Sequence, residues 1–416
     1  MLFASISDYH DLKSLSIDGI ELRLDLFAHL DSIEQYLTES QLPIMFTLRR
    51  TSTRSEADRE SLIQYLFTLR PAFFDLEYDM RPEFLQWAFS QGIAIVLSYH
   101  NSEETPLDLE PIFLTMSRYS AFSYKIATTT HSVNDALRLL LFAKRHPNVS
   151  AICMGERGSF GRVLGPIVGN KIDYGHVGVP TASGQFSIDE LNAVYRYQNL
   201  NSKTALFGLI GNPVVQSPGH HYHNDEFEKH GLDAVYVKMI VEEKDLNEFF
   251  RLAKELGFRG LSVTMPLKEK VIPNLGSVNT ILFEEPLFGT SFDGSAAMDA
   301  IGDISNKKII LLGSGGAAHA VELEAKKRGA DVRVLKRTSL NEVPSDYDIL
   351  INCTPASMPI DPQAILARAT VMDMVYAPRE TPFLKAAAAR GCRIVYGDEM
   401  FKNQAEAQSE LWRANI

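Results

Sequence analysis

The chain has 416 residues, a formal net charge of −11 and three widely spaced cysteines, Cys153, Cys353 and Cys392. That length accommodates two or three domains with separate cores. The acidic balance excludes a general pull towards nucleic acid or acidic membranes, and the cysteines suggest neither a disulfide framework nor a thiolate metal site.

Met1 leads almost directly into an apolar run, without a signal or transit pattern. No later apolar run approaches the roughly 18 residues of a membrane span. The expectation is a cytoplasmic protein with small-molecule partners. In the first half, strand-like runs recur at Leu2–Ile6, Gly19–Arg23, Ile44–Leu48, Phe73–Glu77, Ile93–Ser98, Ala121–Ile126, Val149–Met154 and Ile172–His176. Amphipathic stretches such as Glu56–Leu69, Glu83–Gln91 and Ser132–Arg145 lie between them, the last opened by a cap-like serine. Eight strands alternating with helices predict a (β/α)8 barrel, whose reactive groups belong at the C-terminal ends of the strands.

The polar residues follow that rule. Glu21 and Arg23 end the second strand, Arg49 the third and His100 the fifth, while Arg162 and Gln185 follow the seventh and eighth. Lys125 lies inside the sixth strand, where desolvation favours the neutral amine that forms a Schiff base with a ketone. Each residue alone also fits a structural role: a snorkelling lysine, a strand-end histidine, arginines in salt bridges. Together on one face, an amine, an imidazole and several arginines suit a carboxylate-bearing ketone and a proton moved beside its carbonyl.

The segments Glu21-Leu-Arg-Leu-Asp25, Phe46-Thr-Leu-Arg49, Ser98-Tyr-His100 before Thr105-Pro106, Tyr124-Lys-Ile-Ala127 and Ala182-Ser-Gly-Gln185 resemble, in order, type I 3-dehydroquinate dehydratase. The resemblance covers roughly the whole half. It implies that Lys125 forms an imine with the C3 ketone of 3-dehydroquinate. His100 would remove the C2 proton and protonate the departing C1 hydroxyl. Ser5, Glu21, Arg23, Arg49, Arg162, Thr181 and Gln185 would hold the substrate. Thr181 stands where the family usually has serine. Thr53-Arg-Ser-Glu56 replaces its usual Glu-Gly-Gly, which leaves open whether Glu56 orients His100.

A short polar joint, Tyr195–Lys203, leads to a new strand over Thr204–Ile210. Further on, Ile309-Ile-Leu-Leu runs into Gly313-Ser-Gly-Gly-Ala-Ala318 and a helix-like stretch, the context of a dinucleotide-binding turn. Gly313, Ser314, Gly315, Gly316 and Ala317 are the candidate pyrophosphate cradle. The next strand ends in Lys336-Arg337-Thr338 instead of an acidic residue, which favours NADP over NAD.

With that turn, Gly211-Asn-Pro-Val-Val-Gln-Ser217, Val263-Thr-Met-Pro-Leu-Lys268, Gly276-Ser-Val-Asn-Thr280, Gly289-Thr-Ser-Phe-Asp-Gly294, Met372-Asp-Met-Val-Tyr376, Thr381-Pro-Phe-Leu384 and the Gly397…Met400…Gln404 spacing resemble shikimate dehydrogenase. The resemblance implies a Lys268–Asp293 dyad for the proton on the C3 oxygen of 3-dehydroshikimate while NADPH delivers hydride. Ser217, Thr264, Asn279, Tyr376 and Gln404 would hold the substrate, with Met374 and Gly397 near the nicotinamide. Gly219, Ser262 and Ser291-Phe292 depart from that family's usual residues, which concerns carboxylate binding. His220-His221-Tyr222-His223 lacks an accompanying carboxylate or cysteine set, so no metal is expected.

The expected architecture is α/β: a dehydratase barrel over 1–200 and a two-lobed reductase over 203–416. Within the latter, a substrate lobe spans 204–295 with a C-terminal return, and a Rossmann NADP lobe spans 300–395. The expected function is dehydration of 3-dehydroquinate followed by NADPH-dependent reduction to shikimate. A non-catalytic shikimate- or NADP-sensing second half and a quinate dehydrogenase are the alternatives.

Overall fold

A computed structural model describes residues 1–416 apart from 9, 11, 13, 28–32, 52 and 341. Two compact units emerge, Met1–Leu206 with Phe227–Gly257 and Phe207–Glu226 with Phe258–Ile416. The first contains β1 (Leu2–Ile6), β2 (Gly19–Arg23), β3 (Ile44–Thr47), β4 (Phe73–Glu77), β5 (Ala94–Asn101), β6 (Ser123–Thr129), β7 (Val149–Met154) and β8 (Asp173–His176). From β1 to β7 each strand pairs in parallel with the next, and β1 also pairs in parallel with β8. Pairing of the first strand with the last curls the sheet into the expected barrel.

The seam lies between β7 and β8, where side chains replace a ladder. The Asn170 amide accepts from Ala151 N (2.9 Å) and donates to Ala151 O (3.0 Å), as a strand peptide would. Ser150 Oγ accepts from the backbone N of Lys171, just before β8, at 3.2 Å.

Phe3, Met45, Val96, Ala127, Ile152 and Tyr174 fill the barrel interior. Strand side chains alternate between faces, so Lys125, two residues from Ala127, also points inward. The strands β5 and β6 run further than their apolar residues suggest, to Asn101 and Thr129, because the rungs His100↔Ala127 and Asn101↔Thr128 continue their ladder. His100 therefore belongs to a strand. Outside, Ser132 and Asp135 form a capping box on the helix Val133–Arg145. The helix Leu246–Leu256 packs on that helix, helped by Lys144 Nζ donating to Leu256 O (2.8 Å), and so joins the first unit.

Two further sheets follow. One comprises β9 (Ala205–Gly211), β10 (Ala234–Ile240), β11 (Phe258–Val263), β12 (Thr280–Leu282) and β13 (Phe288–Thr290), in the order β10-β9-β11-β12-β13. The other is parallel, with β14 (Lys308–Leu312), β15 (Asp331–Leu335), β16 (Ile349–Asn352), β17 (Thr370–Asp373) and β18 (Arg393–Val395) in the order β15-β14-β16-β17-β18. Along β14, Ile309 and Leu311 enter one core and Ile310 and Leu312 the other, as expected for a sheet covered on both faces. The strand order reverses at β14, the switch point where doubly wound sheets bind ligands beyond the strand ends.

Candidate active sites

In the barrel, all nine expected residues line one cavity of about 340 Å³. Lys125 is 6% exposed, and its Nζ lies 4.0 Å from the centre of the Tyr174 ring. Burial pushes the Lys125 pKa down against the opposing pull of Asp75 and Glu21. His100 lines the cavity and is itself solvent-exposed. Desolvation, reinforced by Arg49 and Lys125, holds it well below the ordinary imidazole range, in the neutral form that can accept a proton.

A hydrogen-bonded chain builds one wall. Ser5 Oγ donates to Glu21 (2.5 Å) and Thr47 Oγ1 donates to the other oxygen of that carboxylate (2.8 Å). Ser5 in turn contacts Thr181 Oγ1 (2.8 Å), and Gln185 Oε1 accepts from the Thr181 hydroxyl (3.0 Å). Thr181 thus supplies the hydroxyl expected of serine at that position.

The arginines are not equivalent. Arg49 places two nitrogens on Asp75, at 2.8 and 2.6 Å, and Arg23 is forked onto Asp25 and donates to Thr181 O. Arg162 donates Nη2 to Ser183 O (3.2 Å), but its buried Nε has no partner, and burial pulls its pKa down to about 10. An unspent guanidinium donor in a cavity wall is where an incoming anion gains most. Glu56, by contrast, is occupied outside the cavity by Arg50 (2.6 Å) and Arg59 (3.3 Å).

Sequence reasoning missed Asp75. It is 1% exposed and accepts from Lys125 Nζ (2.9 Å), Ser98 Oγ (2.6 Å) and both Arg49 nitrogens. Burial alone would raise its pKa, but the charges of Arg49 and Lys125 hold it far below the carboxylate range. The available signal was the one that flagged Lys125: a charged residue inside an apolar strand.

In the second unit, Lys268 sits on the short turn Leu267–Glu269, opened by Thr264, whose carbonyl accepts from Leu267 N (3.0 Å). Asp293 begins the helix Asp293–Ile301 and is 1% exposed. Its Oδ2 binds Lys268, and its Oδ1 accepts from Asn279 Nδ2 at 2.8 Å. Phe292 N and Thr280 Oγ1 both donate to Asn279 Oδ1, which turns the amide's NH2 towards Asp293. Gln408, also missed from sequence, donates to Asn279 O (3.0 Å) and Thr280 Oγ1 (2.8 Å) and accepts from Ser262 (3.0 Å). Ser262 therefore supports the dyad from behind.

Ser217 stands beside the Tyr376 hydroxyl, whose pKa is raised by burial. Gln404 is half-buried one turn before Gln408, on the helix Gly397–Arg413. Gly397 packs so closely that a Cβ would lie 2.7 Å from Val375 O, and Met374 N binds Asn352 O at 3.0 Å.

Beyond β14, Gly313 has φ +107°, and a Cβ there would lie 2.8 Å from Thr354 Cγ2. Ser314 and Gly315 are exposed, with open space where a Gly315 Cβ would project, and the helix Gly316–Lys327 begins at Gly316 and Ala317. Its first-turn N–H groups lack partners within the helix. Lys336, Arg337 and Thr338 are exposed after β15, and among the described residues neither cation forms an ion pair. An open glycine turn, a helix N-terminus and two cations suit a phosphorylated dinucleotide.

The type I 3-dehydroquinase family matches residues 2–202, and the shikimate dehydrogenase substrate binding domain matches residues 209–281. The chain is 32% identical over 443 aligned positions to the shikimate biosynthesis protein AroDE of Chlamydia pneumoniae, covering 96% of this chain and 91% of that relative. Identity is 28% over 471 positions to the chloroplastic bifunctional 3-dehydroquinate dehydratase/shikimate dehydrogenase of Arabidopsis thaliana, covering 96% and 78%. A shikimate dehydrogenase (NADP(+)) of Pyrococcus abyssi is 36% identical over 244 positions, covering 50% of this chain and 91% of its own length.

Proposed function

The chain belongs to the AroDE family of shikimate biosynthesis proteins, and from that premise we propose how its residues divide two successive reactions. It is a bifunctional enzyme, a type I 3-dehydroquinate dehydratase and a shikimate dehydrogenase. We assign dehydration to residues 1–200 and reduction to 203–416. The observation that carries the dehydratase assignment is Lys125, buried beside a neutral His100 in a cavity with an unspent Arg162 donor.

In the barrel, the Lys125 amine attacks the ketone carbon, and the carbonyl oxygen leaves as water as the C–N double bond forms. His100 takes the proton from the adjacent carbon, and the C–H electron pair moves towards the imine nitrogen. That pair returns to expel the hydroxyl, which leaves as water with the proton that His100 gives back. Hydrolysis then frees Lys125. Arg162 binds the carboxylate, while Ser5, Glu21, Arg23, Arg49, Thr181 and Gln185 orient the ring hydroxyls.

In the second unit, Lys268 donates a proton to the carbonyl oxygen of 3-dehydroshikimate, and Asp293 and Asn279 hold its ammonium in place. Ser217, Thr264, Tyr376 and Gln404 bind the carboxylate and hydroxyls. NADPH, when bound, supplies the hydride. Gly313, Ser314, Gly315, Gly316 and Ala317 would cradle its pyrophosphate, and Lys336, Arg337 and Thr338 its 2′-phosphate, with Met374 and Gly397 beside the nicotinamide. No described helix is long and apolar enough to cross a membrane, and we place the enzyme in the cytoplasm.

The test is a coupled assay: 3-dehydroquinate and NADPH with the purified chain, with shikimate identified as product. Lys125→Met should abolish dehydration and spare reduction of supplied 3-dehydroshikimate. Accumulation of 3-dehydroshikimate with NADPH unspent would refute the reductase assignment.

A further inference from the structure

Among the groups around Lys125, Asp75 has no part in the proton transfers above, yet among the described residues it is the one carboxylate within hydrogen-bond distance of Nζ, at 2.9 Å. We propose that Asp75 is the counter-ion that keeps the Lys125 imine protonated, and hence an electron sink, through dehydration. The proposal rests on the Schiff-base reading of the barrel and adds a role that the alternation of acid and base leaves unfilled.

The charges around Nζ favour a cation there. From β2, Glu21 lies 3.7 Å away, and from β4 comes Asp75. Arg49 from β3 is clamped to that same Asp75, His100 from β5 is neutral, and β8 presents the face of Tyr174. Asp75 and Glu21 thus oppose Arg49 at the nitrogen of residue 125, and these four groups are together neutral when that nitrogen carries one positive charge; of the other charged groups lining the cavity, Glu77 pairs with Arg59, Arg23 is forked onto Asp25, and Arg162 donates to Ser183 O. A deprotonated imine would leave a buried net negative charge.

The step balances. The ammonium form loses two protons with the carbonyl oxygen, which departs as water, and the remaining proton stays on the nitrogen of the new C–N double bond. Asp75 accepts from that N–H. Only the protonated imine draws the electron pair released when His100 removes the neighbouring proton. Arg49 and Ser98 donate to the same carboxylate at 2.6–2.8 Å, which fixes its orientation and keeps it ionised.

The experiment follows borohydride trapping of the Lys125 adduct with 3-dehydroshikimate across alkaline pH, read by intact mass, in the full chain. Borohydride reduces the protonated imine, so yield falls where the imine loses its proton. In Asp75→Asn this limb should move down by at least about one pH unit, with dehydratase kcat falling on the order of 10- to 100-fold. Asp75→Glu, which keeps the charge, should leave the limb near its wild-type position. A limb unmoved in Asp75→Asn, even with turnover reduced, overturns the proposal and leaves Asp75 as a structural clamp on Arg49. If Asp75→Asn does not fold, Ser98→Ala leaves the carboxylate with one donor fewer and a stronger hold on the imine proton; the limb should then rise, and an unmoved limb again overturns the proposal. Absence of any trapped adduct in the wild-type chain would refute the Schiff-base reading itself.

Discussion

Replacing Asp293 by asparagine is nearly isosteric, so its consequences isolate the dyad. The carboxylate accepts from both Lys268 and Asn279. Because Asn279 Oδ1 is engaged by Phe292 N and Thr280 Oγ1, that amide can present only donors to position 293. The new amide has one oxygen for two donors, so one hydrogen bond is lost and an N–H faces another donor. A hydrogen bond to a charged group contributes about 1.5–3 kcal/mol. The Lys268 side chain is 17% exposed, so water partly replaces the loss, and destabilisation of about 2 kcal/mol is expected. Catalysis should suffer more, since the ammonium is no longer aimed, with a fall in kcat/KM of about a hundredfold or more. NADPH consumption with 3-dehydroshikimate measures this, and dehydratase activity in the same preparation is the internal control. A variant within fivefold of wild type, or a parallel fall in both activities, would refute the assignment.

Three further outcomes are expected. Burial pushes the pKa of His223 down to about 3, so between about pH 6.5 and 3 the unfolded chain binds more protons at this position. Stability should fall as pH falls through that window, by up to about 1.4 kcal/mol per pH unit; urea inactivation of the reductase in His223→Gln should show a shallower acid slope, and parallel slopes would refute this. Lys336→Ala with Arg337→Ala should raise KM for NADPH by about tenfold or more while leaving KM for NADH nearly unchanged; equal losses for both would place the cations away from the 2′-phosphate. Glu56→Gln should leave dehydratase kcat/KM within about threefold, since it weakens two ion pairs of a half-exposed carboxylate outside the cavity, and Arg59 keeps Glu77 and Leu48 O. A tenfold fall would instead tie Glu56 to His100.

The sequence by itself determined the repeating local patterns. Apolar runs of strand length separated by helix-length stretches place all eight barrel strands, and Ile309–Leu312 running into Gly313 marks the switch-point turn. Inward residues such as Lys125 and Glu21 were legible because strand periodicity and strand-end position are properties of near neighbours in the chain. Tertiary structure decided which charges meet. Asp75 is 50 residues from Lys125 and reaches it only because β4, β5 and β6 pair in one register. That same register occupies Arg49 with Asp75, while Arg162 Nε remains unspent. Ser262 likewise gains its role from Gln408, 146 residues away. Burial and partnership across the fold set the state of a titratable group, and neither is a property of the residues beside it in sequence.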